Sequence, residues 1–306
     1  MSWTWSIPLD IRPSLLLRPP LIHPKRLRGI IPTFRDWDAA RTTIESLLAC
    51  WPRPSEIVLV NDNIEPDVPD WVHRYPIHLV DYPGNRGPSW ARNMGVLFKS
   101  GHQVDWLYFT DTGCERDTGF FGELIEASMA MPRSTIAIAA PVVGVVVSAE
   151  VTPINHYMTE EAILNPPRSL HGPQAIITAN AAVSAAGFHA AGGFSNSYPY
   201  AGGEDLDLGV KLRHHGPIGW APRAIVRHRF MECLDDFRRR FLRYGAGNAH
   251  LERMWDLPSM RVHDVTAHNP AMQSLAKAQV RAMQTGYDEH LRTLAALGRA
   301  FRTPHR

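Results

Sequence analysis

The chain has 306 residues, 44% apolar and 20% charged, a make-up that excludes global disorder and leaves room for one large domain or a domain plus an appendage. Its net charge of +2 is too balanced for a dedicated nucleic-acid binder. Three widely spaced cysteines, Cys50, Cys114 and Cys233, indicate neither a disulfide framework nor a zinc knuckle and suit a reducing, cytoplasmic setting.

Residues 1–26 are rich in Pro and Arg without periodicity and read as an N-terminal extension. Their longest apolar run, Leu15 to Leu17, falls short of the roughly 7–15 residues of a signal peptide's core. Leu27 to Ile31 predicts a first strand, ended by Pro32. Trp37, Ala40, Ile44, Leu47, Leu48 and Trp51 recur at three- and four-residue steps and predict a helix, capped by Asp36 and stopped by Pro52. Strands follow at Glu56–Val60, around His78–Asp81 and at Trp106–Phe109. Helices are expected over Pro88–Lys99 and from about Asp117. Strand and helix thus alternate, which predicts an α/β fold with a mostly parallel central sheet flanked by helices. In such sheets ligands bind at the carboxyl ends of the strands, where Asp62 and Asp111 fall.

The most apolar stretch, Ile136 to Val147, is β-branched and interrupted by Pro141 and Gly144. It is shorter than the about 20 residues of a membrane span and reads as a pair of buried strands, so a soluble chain is expected. Gln174–Ala181 is a strand candidate, Gly187–Gly203 a Gly-rich connection and Glu204–Gly216 a helix. Ile218–Arg229 reads as strand bent at Pro222. Helices are expected from Cys233 to about Trp255 and from Val265 to Phe301, either capping the core or forming a homodimer contact. Only four of the 32 basic residues are lysines, the arginine bias of a GC-rich bacterial genome.

Four further groups of residues could carry chemistry. Gly84 to Asn93 is a Gly-containing loop entering a helix, a place where backbone amides suit an anion and Arg86 or Arg92 adds donors. Gly202-Gly203-Glu204-Asp205-Leu206-Asp207 puts acids in a helix's first turn, behind a Gly pair that would let backbone approach a ligand. One of those carboxylates would serve as a general base if it reached an acceptor hydroxyl. His228, between Arg227 and Arg229, would be held neutral by its neighbours, which suits metal ligation. Arg238, Arg239, Arg240 and Arg243 read as a solvated face, with contact to a diphosphate or an acidic acceptor as the alternative.

In this order and spacing the pieces resemble the family 2 glycosyltransferases, which have the GT-A fold; the resemblance runs from about Arg28 to Arg229. Ile31-Pro32-Thr33-Phe34 looks like the family's opening Pro-Thr-Tyr, and Val60-Asn61-Asp62-Asn63 like its base-binding Val-Asp-Asp-Ser. Asn85-Arg86-Gly87 through Ala91-Arg92-Asn93-Met94-Gly95 is similar to its nucleotide-side helix. Phe109-Thr110-Asp111-Thr112-Gly113 sits where the family has its metal-binding DxD. Asn180-Ala181-Ala182 with Gly192-Gly193-Phe194 is similar to its acceptor loop, and Gly203-Glu204-Asp205 to the block carrying its catalytic base.

The resemblance implies an inverting sugar transfer from a nucleotide-sugar donor, most simply a UDP-sugar, to a small-molecule, peptide or glycan acceptor. Asp205, or failing it Glu204, would be the base. Pro32, Thr33, Phe34, Asp62, Gly87, Arg92, Asp111 and Thr112 would line the donor site, and Asp111 with His228 would hold Mg²⁺ or Mn²⁺. It also implies a nucleotide-binding half at 27–115, an acceptor half at 116–230 and a helical region at 231–306. The DxD, however, is reduced to Asp111-Thr112-Gly113, so a non-catalytic nucleotide-sugar-binding homologue is the alternative. A nucleotidyltransferase would want a Gly-rich signature with Arg and Lys after the first strand, which Pro32-Thr33-Phe34-Arg35 does not supply.

Overall fold

A computed structural model describes residues 16–64, 68–82, 84–145, 152–169, 172–198, 201–230 and 233–300. The first fifteen residues of the extension, Val146 and Val147 of the apolar stretch, Pro199 and Tyr200 of the Gly-rich connection, and Phe301 lie outside them.

Strand β1 (Leu27–Thr33) lies inside a seven-stranded sheet. After it come α1 (Trp37–Leu48), β2 (Glu56–Asn61), β3 (His78–Asp81), α2 (Pro88–Leu97) and β4 (Trp106–Phe109). The predicted Asp36 cap is present, its carboxylate accepting from the Ala39 amide at 2.9 Å. Strand β5 (Cys114–Arg116) and α3 (Phe120–Met129) lead to β6 (Ala137–Ala139) and β7 (Val142–Gly144). Then come α4 (Pro153–Glu160), the two-residue strands β8 (Arg168–Ser169) and β9 (Gly172–Pro173), β10 (Ala181–Ser184) and α5 (Ala185–Ala190). Helix α6 (Glu204–Arg213), β11 (Ile218–Trp220), β12 (Val226–His228), α7 (Leu234–Trp255) and α8 (Gln273–Ala300) complete the chain.

The main sheet runs β11-β6-β10-β4-β1-β2-β3. It is parallel except at β10, which is antiparallel to both β4 and β6. In β4, Trp106 and Tyr108 enter one apolar cluster with α1 and α3, while Leu107 and Phe109 enter another with Phe188 and Phe194. Both faces are covered, which is why these strands read as unbroken apolar runs rather than as alternations.

Several expectations needed revision. Ile136–Val147 does supply two strands, but they do not pair: β6 joins the main sheet and β7 a second, three-stranded sheet with β12 and β5. The strand expected over Gln174–Ala181 begins only at Ala181. Thr178–Asn180 form a 3-10 turn, whose Asn180 amide donates to the carbonyls of Pro141 at 2.8 Å and Ala224 at 2.9 Å. Residues 16–26 of the extension make contacts with the domain. Ile22 is buried, and the Pro20 carbonyl accepts from the Trp106 indole at 2.8 Å.

The C-terminal helices cap the core. Phe237 and Phe241 of α7 and Met283 of α8 belong to the main apolar cluster. The two helices approach each other so closely that a Cβ at Gly245 or Gly286 would run into the carbonyl of Met283 or Leu242. Among the described residues no helix is long and apolar enough to cross a membrane.

Candidate active site

A cavity of about 780 Å³ opens at the carboxyl ends of β1, β2 and β4, within the size range of small-molecule sites. Pro32, Thr33, Phe34, Asp62, Gly87, Arg92, Asp111, Thr112, Glu204, Asp205 and His228 all line it, so every predicted site residue reaches one crevice. The parallel register explains the first wall. Thr33 sits beside Asn61 and Ile30 beside Phe109, so the loops carrying Asp62 and Asp111 flank the end of β1.

Asp62 is buried, and each of its oxygens accepts a backbone N–H, from Arg86 at 2.7 Å and from Gly87 at 2.8 Å. Burial pushes its carboxyl above the usual range, and the two amides pull it back. Asp62 therefore shapes the loop before α2. Gly87 is needed there because its φ is +89°. Across the entrance the Arg35 guanidinium stacks 4.7 Å from the Phe34 ring, and the Arg35 amide donates to Asn63 at 2.6 Å.

Arg92 is buried under the floor of the cavity. Its guanidinium donates to Asp111 at 2.8 Å and to Glu204 at 2.9 Å, and lies 5.5 Å from the Phe194 ring. The sequence offered Arg86 or Arg92 as a donor to phosphate; Arg92 lines the cavity, and its charge is shared by two carboxylates, which together outweigh its burial and keep it firmly protonated. Asn93 makes a second cross-link, accepting from the Phe194 amide at 3.1 Å and donating to the Phe194 carbonyl at 2.9 Å.

The two acids that open α6 differ sharply. Glu204 takes Arg92 on one oxygen and the Gly202 amide, at 2.7 Å, on the other. Asp205 accepts backbone amides, from Leu206 at 2.9 Å and Thr178 at 3.5 Å. Burial, then the charges of Glu204 and Asp111, push its carboxyl up to about 7 against the pull of Arg92. Asp207 is a structural group, ion-paired to Lys211 at 2.5 Å and accepting from the Trp255 indole at 2.9 Å.

The Gly pair before α6 lines the cavity and also packs closely against neighbouring elements. Gly203 has a φ of +96°, and a Cβ there would lie 3.0 Å from the Tyr198 ring and 3.1 Å from Gly247 of α7.

His228 closes β12 opposite Cys114. The two arginines that flank it are both ion-paired, Arg227 with Asp117 at 2.7 Å and Arg229 with Glu115 at 2.7 Å. The arginine run on α7 divides: Arg238 and Arg239 pair with Asp235 and Asp236, while Arg240 and Arg243 line the cavity.

Among the described residues no group of three or more His, Cys, Asp or Glu side chains could by itself hold a metal ion. Gly113, at the third position of the reduced DxD, donates its amide to Ala39 at 3.1 Å and accepts from Arg229 at 3.4 Å, so its backbone is also in use. The wall offers the Asp111 carboxylate, shared with Arg92, and the His228 imidazole. That fits a hard cation of the Mg²⁺ type, which keeps several waters and takes other ligands from substrate phosphates.

Sequence reasoning missed Tyr198, Tyr244, Asn248 and Met283, which form much of the far wall. Gly245-Ala246-Gly247-Asn248-Ala249 was the available signal. So many small residues inside a helix mark close backbone approach, and here Gly247 meets Gly202.

Residues 30–179 match the model of the family described as Glycosyl transferase family 2. The fold is similar to a mannosyltransferase, PcManGT, from Pyrobaculum calidifontis in complex with GDP-Man and Mn²⁺ (TM-score 0.52, 16% identity, 94% of this chain and 79% of that one). It is also similar to GalNAc-T7 with UDP, GalNAc and Mn²⁺ (TM-score 0.54, 14% identity, 88% of this chain and 56% of that one). A third similar structure is S. aureus TarS 1-349 in complex with UDP (TM-score 0.50, 14% identity, 75% of this chain and 69% of that one). No curated protein matches the sequence.

Proposed function

From a chain that carries a glycosyl transferase family 2 domain over residues 30–179, we propose an inverting transfer of a hexosyl group from a nucleotide-diphosphate sugar, with Asp205 as general base. The observation that carries the reading is the contrast between the paired acids of α6. Glu204 has one oxygen bound to the buried Arg92 guanidinium, whereas the two Asp205 oxygens accept only backbone amides. Asp205 faces the cavity with a carboxyl poised near neutrality, where a general base works best.

Asp205 would take the proton of the acceptor hydroxyl as its oxygen attacks the anomeric carbon. The bond from that carbon to the diphosphate oxygen breaks on the opposite face, and its electron pair leaves with the nucleoside diphosphate. Phe34, Asp62 and the loop at Gly87 would position the base and ribose, UDP being the simplest donor nucleotide. The donor would then occupy the 27–115 side and the acceptor the 116–230 side. Asp111, with Thr112 beside it, and His228 would hold Mg²⁺ or Mn²⁺, which when bound neutralises charge on the leaving diphosphate. The Mn²⁺ in two of the similar structures supports that choice.

The test is calorimetric titration with UDP, GDP and dTDP, each with and without Mn²⁺, followed by a transfer assay of Asp205→Asn. Metal-dependent binding of one nucleotide and loss of transfer in a variant that still binds it are expected. Turnover retained by Asp205→Asn would sink the assignment of the base. Failure to bind any nucleotide would overturn the donor reading itself, and nucleotide binding without any transfer would favour the non-catalytic homologue.

A further inference from the structure

Beyond Asp205 the cavity cuts into the main apolar core. Ile163, Leu164, Ile177, Phe241 and Met283 all line it, and all five belong to that core cluster or pack on it. Ile163 and Ile177 are only partly buried, so this wall carries accessible apolar surface. The donor-side lining is different in kind: Thr33, Asp62, Arg92 and Asp111 are polar or charged.

The apolar alcove is braced open. At the end of α4, Glu161 accepts from the His268 amide at 2.7 Å and pairs with the His268 imidazole at 2.9 Å. Four residues on, the Asn165 side chain accepts from the Val142 amide at 3.0 Å and donates to the Val142 carbonyl at 2.9 Å. Between these ties Ala162 holds a φ of +50°, a left-handed conformation unfavourable for alanine. Ile163 and Leu164 are thus fixed in the wall and do not close onto Phe241 and Met283. Apolar surface that cannot close is left to water, and covering it is favourable. The hollow has small-molecule dimensions, so a flat protein face would not reach into it. It also opens on the base, because Thr178, directly after Ile177, donates its amide to Asp205 at 3.5 Å.

A second observation points to a ligand. On α7, seven residues and so two turns beyond Phe241, Asn248 lines the same cavity and is 4% exposed. Its side-chain N–H₂ has no hydrogen-bond partner among the described residues. Gly247 beside it packs on Gly203, which places this buried donor next to the Gly-Glu-Asp turn. A bound oxygen there would satisfy it.

We propose that the acceptor is an amphipathic alcohol, its hydroxyl beside Asp205 and its apolar body in the alcove of Ile163, Ile177, Phe241 and Met283. The inference rests on the sugar-transfer reading and narrows its acceptor to a molecule with an apolar body.

The test titrates the protein, saturated with whichever nucleotide it binds, with 1,2-octanediol and with glycerol at two temperatures. The two probes share a vicinal diol and differ in the hydrocarbon tail. Octanediol should bind at least ten-fold more tightly, with the negative heat-capacity change that marks burial of apolar surface. Ile163→Thr and Ile177→Thr should each weaken octanediol five-fold or more, with nucleotide affinity within two-fold of the parent. Equal affinity for the two probes, or a heat-capacity change near zero, overturns the proposal. So does octanediol affinity unchanged in both variants, because the tail would then lie elsewhere. Loss of nucleotide affinity in both variants overturns it as well, because the alcove would then serve the donor. If the parent binds no nucleotide, the donor reading fails by itself, and the same titrations on the nucleotide-free protein still decide whether the alcove takes an apolar body.

Discussion

The two walls of the cavity are made in different ways. The donor-side wall is a set of strand ends: β1, β2 and β4 stop side by side, and each turn delivers its functional residue directly from the sheet. The far wall is assembled from α6, α7 and loops that meet only through close packing, as where Gly247 touches Gly202 and Gly203. Arg92 and Asn93 of α2 tie the walls together, one through Asp111 and Glu204 and the other through Phe194. The first wall is thus fixed by sheet register, and the second by whether helices stay seated.

The largest expected effect comes from silencing the base. Asp205→Asn should lower kcat by roughly 10²–10⁴-fold, the usual range for a general base. The parent's rate should rise with pH through about 7 as Asp205 loses its proton. The same substitution should stabilise the fold. The native carboxyl titrates near 7 and an unfolded Asp near about 3.9. Between those values the native state therefore holds the extra proton, and parent stability falls as pH rises. The melting-temperature advantage of Asp205→Asn should accordingly grow from pH 4 to 7 and then level off. A flat difference across that window would mean that the carboxyl is not held up.

Cutting the tie between the walls comes next. Arg92→Met leaves Asp111 and Glu204 without their shared cation, and breaking a buried pair costs about 3–5 kcal/mol. Denaturant unfolding would show this as a fall in midpoint. Any activity that survives should have its pH midpoint moved upward, because Arg92 is the charge that draws Asp205 down.

The same contrast decides what the sequence could reveal. The donor-side wall was legible because strand, turn and acid are local: Val58-Leu59-Val60 predicts a buried strand, and Asp62 must then lie at its end. The helix row on the far side had no comparable mark, since Tyr244 and Asn248 acquire meaning only when α7 lies on α6 and α8. Charge partners were equally hidden. Nothing local shows that Arg92 would pair with Glu204, 112 residues later. Arg227 and Arg229 read as neighbours of His228 although strand alternation turns them outward to acids near β5. The unforeseen β5 is only Cys114-Glu115-Arg116, too short and too charged to show a strand pattern.

Asp62→Asn sharpens the comparison from the donor side. It replaces an ionised acceptor of two backbone amides, whose bonds are worth roughly 1.5–3 kcal/mol each when charged, with a side chain that can accept only on its oxygen. Nucleotide affinity should fall by about ten-fold, and the melting temperature should drop by a few degrees, since one of the two amides loses its acceptor. Loss of the whole fold would mean that the carboxylate does more than shape that loop.

The smallest effect is expected from Gly203→Ala, and it tests the far wall alone. A Cβ in the left-handed region costs roughly 1–2 kcal/mol. At Gly203 it also presses on the Tyr198 ring at 3.0 Å and on Gly247 at 3.1 Å. Gly192→Ala is the control, with a φ of +75° and nothing within 4 Å of the added carbon. Both should lower the melting temperature, Gly203→Ala by more because of those contacts. Only Gly203→Ala should also slow transfer, because pushing α7 off the Gly-Glu-Asp turn separates Asp205 from the wall that faces it, while nucleotide binding stays unchanged. If Gly192→Ala slowed transfer as much, the rate would follow stability in general, and the seating of α7 would not be what holds the acceptor side together.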